Sequence, residues 1–230
     1  MKKIGLVGGL TWISTLEYYR EINQSVGTHL GKHHSASVLI ESLDRQVFLD
    51  AATKDPSEKS CADLIVEAFQ TLKLGGAELF AVCANGIHQF APIIREETGI
   101  SLESIATATA KHAKSLGLVN VGLLGVERTM EGTFFHEALR AQGIETTIPN
   151  KADRSLVHTR IVEELVIGEF NDRTRLDFEQ VSRDLQRDGA EAIVMGCTEI
   201  PLMFPKGAIG DILALSTTKI HCDAIVNAAL

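Results

Sequence analysis

Gly189-Ala190-Glu191-Ala192-Ile193-Val194-Met195-Gly196-Cys197-Thr198 decides the fold, because it can be laid over Gly76-Ala77-Glu78-Leu79-Phe80-Ala81-Val82-Cys83-Ala84-Asn85, 113 positions earlier. In each copy Gly-Ala-Glu leads into an apolar run that ends in small residues, as a short parallel strand buried on both faces would. A second pair of segments agrees. Residues 3–9 and 120–126 match at Gly5 and Gly122, Leu6 and Leu123, and Gly8 and Gly125, 117 positions apart. The two offsets differ by an amount that one loop absorbs, so the chain reads as a duplicated unit.

Between the strands lie segments whose apolar residues recur at a period near 3.6. In 62–74, Leu64, Ile65, Ala68, Phe69 and Leu72 share a face, and in 156–167 Leu156, Ile161, Leu165 and Val166 do so. Further helices are expected over 14–26, 87–97, 105–116, 129–142, 173–188 and 217–230. Strand followed by helix, repeated, indicates parallel sheets covered on both faces. The expected architecture is α/β, with two similar parallel-sheet domains related by pseudo-two-fold symmetry and an active site in the cleft between them. The first domain is assigned 1–103 plus 215–230 and the second 104–214.

Composition narrows the function classes. The chain has 230 residues, 45% hydrophobic and 23% charged, in the range of a globular protein that buries a sizeable core. A net charge of -8 argues against nucleic-acid binding, which relies on Lys and Arg at phosphates. No run approaches the roughly 20 apolar residues of a membrane span, and the start of the chain lacks the features of a signal peptide, so the expected location is cytoplasmic. Cys61, Cys83, Cys197 and Cys222 have no CxxC spacing and the eight histidines no HxH or HExxH spacing, so no metal site is expected. The glycines of 5–9 do not form GxGxxG, which argues against a dinucleotide.

In parallel α/β sheets, ligands collect at the carboxyl ends of the strands. The candidate positions are therefore Gly8 to Thr11, Cys83 to Gly86, Gly125 with Val126, and Gly196 to Glu199. Glycines there would let backbone N–H groups approach an anion. Cys197, entering a helix, is expected to have a lowered thiol pKa and thiolate character. Because adjacent strand residues point to opposite faces, Cys83 is expected in packing if Ala84 aims at the ligand. A swing of Cys83 into the site through a bulged strand end is the alternative.

These residues, taken together, resemble the aspartate/glutamate racemase family. The resemblance runs over Gly8, Gly9, Trp12, Ser14, Thr15, Tyr18, Tyr19, Arg20 and Asn23, then His34-Ser35-Ala36, Asn85 and His88, Glu163-Glu164-Leu165, Gly196-Cys197-Thr198-Glu199-Ile200, and Thr217-Thr218 with His221. It implies a cofactor-independent isomerase, commonly a homodimer, acting on a small dicarboxylic amino acid such as aspartate or glutamate. Two acid/base groups would flank Cα, one removing the α-proton and the other returning one. Cys197 would be one of them, with Leu10, Asn85, Gly86, Thr198 and Glu199 as substrate-binding positions.

One departure bears on activity. The residue before the first motif's Asn, usually Cys and sometimes Thr in the family, is Ala84 here, and the internal overlay also places Ala84 opposite Cys197. Gly86 stands where Thr is frequent, Ile13 where Glu is, Val126 where Thr is, and Ser216 where Asp is. The alternatives to a racemase are a single-cysteine, decarboxylase-like lyase and a catalytically impaired protein that binds an acidic ligand.

Overall fold

The computed structural model describes residues Met1–Leu230. The chain folds as two compact units, Met1–Ser104 with His221–Leu230, and Ile105–Ile220. Both are α/β with parallel strands, as expected. No helix is long and apolar enough to cross a membrane.

The first unit runs β1 (Ile4–Gly8), α1 (Trp12–Leu30), β2 (Val38–Ser42), α2 (Arg45–Lys54), α3 (Lys59–Leu74), β3 (Leu79–Val82), a 3₁₀ turn (Gly86–Phe90) and α4 (Ala91–Thr98). Its three strands are parallel in the order β2-β1-β3. The period of two along a strand divides the side chains between two cores. Ile4, Leu6, Ala81 and Cys83 pack with Tyr18, Ile22 and Val226, whereas Val7, Phe80 and Val82 pack with Ile65, Phe69 and Ile94.

The second unit contains α5 (Ile105–Ser115), β4 (Asn120–Leu124), α6 (Glu127–Glu131), α7 (Thr133–Ala141), β5 (Glu145–Thr147), α8 (Lys151–Glu163), α9 (Asp172–Arg187), β6 (Ala192–Met195), α10 (Ile200–Met203), β7 (Ala208–Ile209) and β8 (Ile212–Ser216). The sheet order is β5-β4-β6-β8-β7, parallel except for the β7–β8 edge pair. Val121, Leu123, Ala192 and Val194 face Ile105, Phe135 and Leu139, and Leu124, Ile193 and Met195 face Ile161, Phe178 and Leu185. The last helix, α11 (Thr217–Ala229), contributes its first four residues to this unit and the rest to the first.

The internal repeat extends to the strand register. Ile4 pairs with Leu79 and Gly5 with Phe80 in the first unit, and Val121 pairs with Ala192 and Gly122 with Ile193 in the second. The amide of Glu78 donates to the Lys3 carbonyl at 2.8 Å, and that of Glu191 to the Asn120 carbonyl at 3.0 Å. The central glycines carry the same steric constraint. A Cβ on Gly5 would lie 2.7 Å from Ala77 Cβ and 3.3 Å from Leu72 Cβ, and one on Gly122 would lie 3.4 Å from Ala190 Cβ and 3.0 Å from Leu185 Cδ1. In both units the strand is packed closely against the helix and the turn that lead into its neighbour, so a side chain at that point would force its surroundings to shift.

Several elements depart from the sequence reading. The expected 129–142 helix is two, α6 and α7, parted at Gly132, where ψ of 158° leaves the helical region. The expected 87–97 helix opens as a 3₁₀ turn and becomes α-helical only at Ala91. Helix α8 begins five residues earlier than Leu156, because Asn150 caps it by accepting from the amides of Ala152 and Asp153. Strand β2 is half-exposed and α2 buries no residue, so neither shows the apolar pattern that marks the others.

The shared constraint is open to a direct test. Gly5→Ala should destabilise the protein by about 1 to 3 kcal/mol through overpacking. Gly27→Ala, in the last turn of α1 with nothing within 4 Å of a new Cβ, should stabilise it by up to about 1 kcal/mol. Urea unfolding of both variants beside the parent measures this, and an undiminished Gly5→Ala midpoint would contradict the packing argument.

Candidate active site

In the second unit, strand β6 ends at Met195, where the Gly196 amide donates to the Leu124 carbonyl of β4 at 2.6 Å and to the Val194 carbonyl at 3.0 Å as the chain turns. Cys197, Thr198 and Glu199 form the turn that follows. Cys197 is half-buried against the Phe178 core, and its Sγ–H donates to Glu199 Oε2 at 2.9 Å. The Thr198 hydroxyl donates to the same oxygen at 3.0 Å, and Glu199 is only 2% exposed. Expected substrate-binding positions Thr198 and Glu199 are thus hydrogen-bonded to each other, and the Glu199 carboxylate faces the thiol.

This geometry reverses the expected charge state of Cys197. Burial, followed by the negative charge of Glu199 and the hydrogen bond to it, pushes the thiol well above its ordinary value, outweighing backbone N–H groups that favour thiolate. The helix expected to lower it, α10, is four residues long, too short to supply much of a macrodipole. At neutral pH the site therefore holds a proton-loaded thiol.

In the first unit, the equivalent position beyond β3 holds Ala84, half-buried against the Ile65 and Phe69 core. Cys83, 2% exposed, points to the other face, into the core with Tyr18 and Cys222. Its amide donates to the Val7 carbonyl at 2.9 Å and its carbonyl accepts from Ser14 Oγ at 2.7 Å, so the strand end is regular and tied down. Burial alone raises the Cys83 thiol far above its usual range. The bulged alternative, with Cys83 in the site, does not occur.

Around Ala84, Asn85 is buried and its backbone carbonyl accepts the His88 amide at 3.2 Å. Gly86 opens the 3₁₀ turn, with nothing within 4 Å of the place a Cβ would take, and Leu10 is half-buried against the same core as Ala84. Gly9 adopts φ of +85°, and a Cβ there would meet Leu43 O at 2.0 Å, so only glycine fits this turn. Its N–H donates to Thr15 Oγ1 at 2.9 Å. That amide is committed internally, contrary to the expectation that it approaches an anion.

A buried aromatic network lies in the same unit. His88 and His221 have ring centroids 5.3 Å apart, His221 Nε2 lies 2.9 Å from the Glu103 carbonyl, and its Nδ1 lies 2.8 Å from the Tyr18 hydroxyl. A carbonyl can only accept, so Nε2 carries the ring proton and Tyr18 donates to Nδ1. Burial holds both imidazoles neutral and brings His221 down to about 4. Sequence reading missed this network because its members lie 203 and 118 positions apart.

Residues 7–225 match the family model described as Asp/Glu/Hydantoin racemase. Among solved structures, a Yersinia pestis protein assigned to the Asp/Glu racemases is similar at 37% identity and a TM-score of 0.89, with 100% of this chain and 99% of that one covered. An aspartate racemase homologue from Pyrococcus horikoshii OT3 is similar at 27% identity and 0.83, again over 100% and 99%. The aspartate racemase of Picrophilus torridus shares the fold, with a TM-score of 0.76 at 19% identity over 99% of this chain and 94% of that one.

The neutral His221 makes stability depend on pH. Its folded value lies below the unfolded value of about 6.5, so the unfolded chain takes up a proton first, and stability present above about pH 6.5 is lost as pH falls towards 4. Between pH 7 and pH 5 this group alone should cost about 2 kcal/mol. Urea unfolding at the two pH values should show a smaller difference in His221→Gln than in the parent, and equal differences would contradict the assignment.

Proposed function

The chain belongs to the Asp/Glu/Hydantoin racemase family, and from that premise we propose that it is a cofactor-independent racemase of a dicarboxylic amino acid in which Cys197 is the acid/base. The supporting observation is the 2.9 Å hydrogen bond from the Cys197 thiol to the buried Glu199 carboxylate. A thiol held protonated is a proton donor ready for a Cα carbanion. Delivering its proton forms the new C–H bond and leaves a thiolate beside Glu199. Coulomb repulsion there makes the thiolate scarce and strongly basic, and it is this minor ionised form that takes the α-proton, becoming the thiol and leaving the Cα carbanion, before a solvent-exchanged proton returns to the same face.

Nothing comparable stands at the equivalent strand end of the first unit, where the side chain of Ala84 is a methyl group. The proton on the other face of Cα must then be handled without a side-chain acid/base at that position. Loss of such a group typically slows a reaction by about 10² to 10⁴-fold. The proposed enzyme therefore exchanges the α-proton of one enantiomer faster than it inverts the centre. Ala84 also favours a second reading, a single-cysteine lyase that protonates a carbanion left by decarboxylation, for which one face suffices.

Incubation of D- and L-aspartate and D- and L-glutamate in D₂O, with NMR of the α-position and chiral chromatography, separates these readings. The racemase predicts α-deuteration of one enantiomer ahead of slow inversion, and the lyase predicts release of CO₂. Ala84→Cys should raise inversion by about 10² to 10⁴-fold. Cys197→Ala should abolish exchange, and exchange that survives this substitution would sink the proposal.

A further inference from the structure

Strand β8 runs parallel beside β6, with Met195 paired to Ser216. Two residues beyond that pair the chain has left both strands, at Cys197 in the turn after β6 and at Thr218 in the first turn of α11, so these two turns follow neighbouring strand ends. The Thr217 hydroxyl secures the junction by donating to the Met195 carbonyl at 2.8 Å. Helix α11 has 13 residues and no acidic residue in its first turn. Its opening amides have no acceptor within the helix. One, that of Lys219, donates to Ser216 Oγ at 3.3 Å.

Thr218 is unusual among these residues. It is 4% exposed, yet its Oγ1 has no protein hydrogen-bond partner. A buried hydroxyl left unpaired costs about 1 to 3 kcal/mol, and such groups call for a functional reason. The Cα–Cβ bonds of a helix lean towards its N-terminus, so the Thr218 side chain leans towards the end of α11 that follows β8, at the carboxyl end of the sheet. There a neutral serine cap and a helix N-terminus with no acidic residue in its first turn favour negative charge.

We propose that the α11 N-terminus, with Thr218 Oγ1 as its donor, is a carboxylate-binding subsite that seats one carboxylate of the substrate beside Cys197. The ligand class rests on the racemase reading, whereas the subsite rests on the helix and on Thr218. The Thr218 hydroxyl gains the acceptor it lacks in the free protein, and the fixed end of α11 orients Cα against the neighbouring thiol. Ser216 contributes by remaining neutral, since an acidic residue at that cap would repel the carboxylate.

Calorimetric titration of the full chain, Thr218→Val and Thr218→Ser with D- and L-aspartate, D- and L-glutamate and succinate tests the subsite. The parent should bind at least one ligand, Thr218→Val should bind it about 10- to 100-fold more weakly, and Thr218→Ser should retain it. The urea midpoint of Thr218→Val should be equal to or above that of the parent, because an unpaired buried hydroxyl has been removed. Binding to Thr218→Val within twofold of the parent would overturn the proposal, as would no binding of any of the five by the parent. Succinate binding that weakens in Thr218→Val, without α-proton exchange on any amino acid, would uphold the subsite and remove the racemase reading.

Discussion

The contact on which the rest depends is the one made where Gly5 and Gly122 lie against the helix end and turn that lead into the neighbouring strand. A Cβ at Gly5 would lie 2.7 Å from Ala77 Cβ, and one at Gly122 would lie 2.7 and 3.0 Å from the Cδ1 atoms of Ile193 and Leu185, so a side chain at either place forces its neighbours to shift. A shift of one residue would also exchange the two faces of a doubly buried strand. The register thereby fixed is the same in both units, so β3 and β6 end at equivalent places. Ala84 and Cys197 occupy equivalent positions because of this packing, before any chemistry is considered.

From that symmetric frame the two strand ends diverge. At Cys197 the thiol is half-buried and donates to a carboxylate that is itself almost wholly buried, and the charge of Glu199 opposes formation of a second negative charge beside it. At Ala84 the chain offers only a methyl group, and the adjacent Cys83 is locked into the core by the period of two along β3. The two equivalent strand ends therefore differ in kind, one presenting a protonated thiol and the other a methyl group. The neighbouring α11 N-terminus, with its unpaired Thr218 hydroxyl, is the place where the second unit can take an anion beside that thiol.

Much of this is legible in the sequence for a physical reason. Strands buried on both faces must be continuously apolar, so β1, β3, β4 and β6 stand out, and their repetition exposes both the duplication and the Ala84 departure. Strand β2 and helix α2 escape because their half-exposed surfaces impose no comparable pattern. The state of the Cys197 thiol reads backwards from sequence. Position alone suggests a helix start, but the helix is one turn long, and burial together with Glu199, whose orientation two residues on no spacing rule reveals, decides the outcome. Tyr18, Glu103 and His221 meet only through tertiary folding, and nothing local marks them as partners.

The central claim is that burial, reinforced by the charge of Glu199, holds the Cys197 thiol well above its ordinary ionisation range. Ultraviolet thiolate absorbance, followed against pH for the parent and corrected by Cys197→Ala, measures this directly. The account predicts that Cys197 ionises only well above the ordinary thiol value of about 8.5, and that Glu199→Gln moves the transition downwards. A Cys197 thiolate already present at pH 7 in the parent, or a transition unmoved by Glu199→Gln, would contradict it.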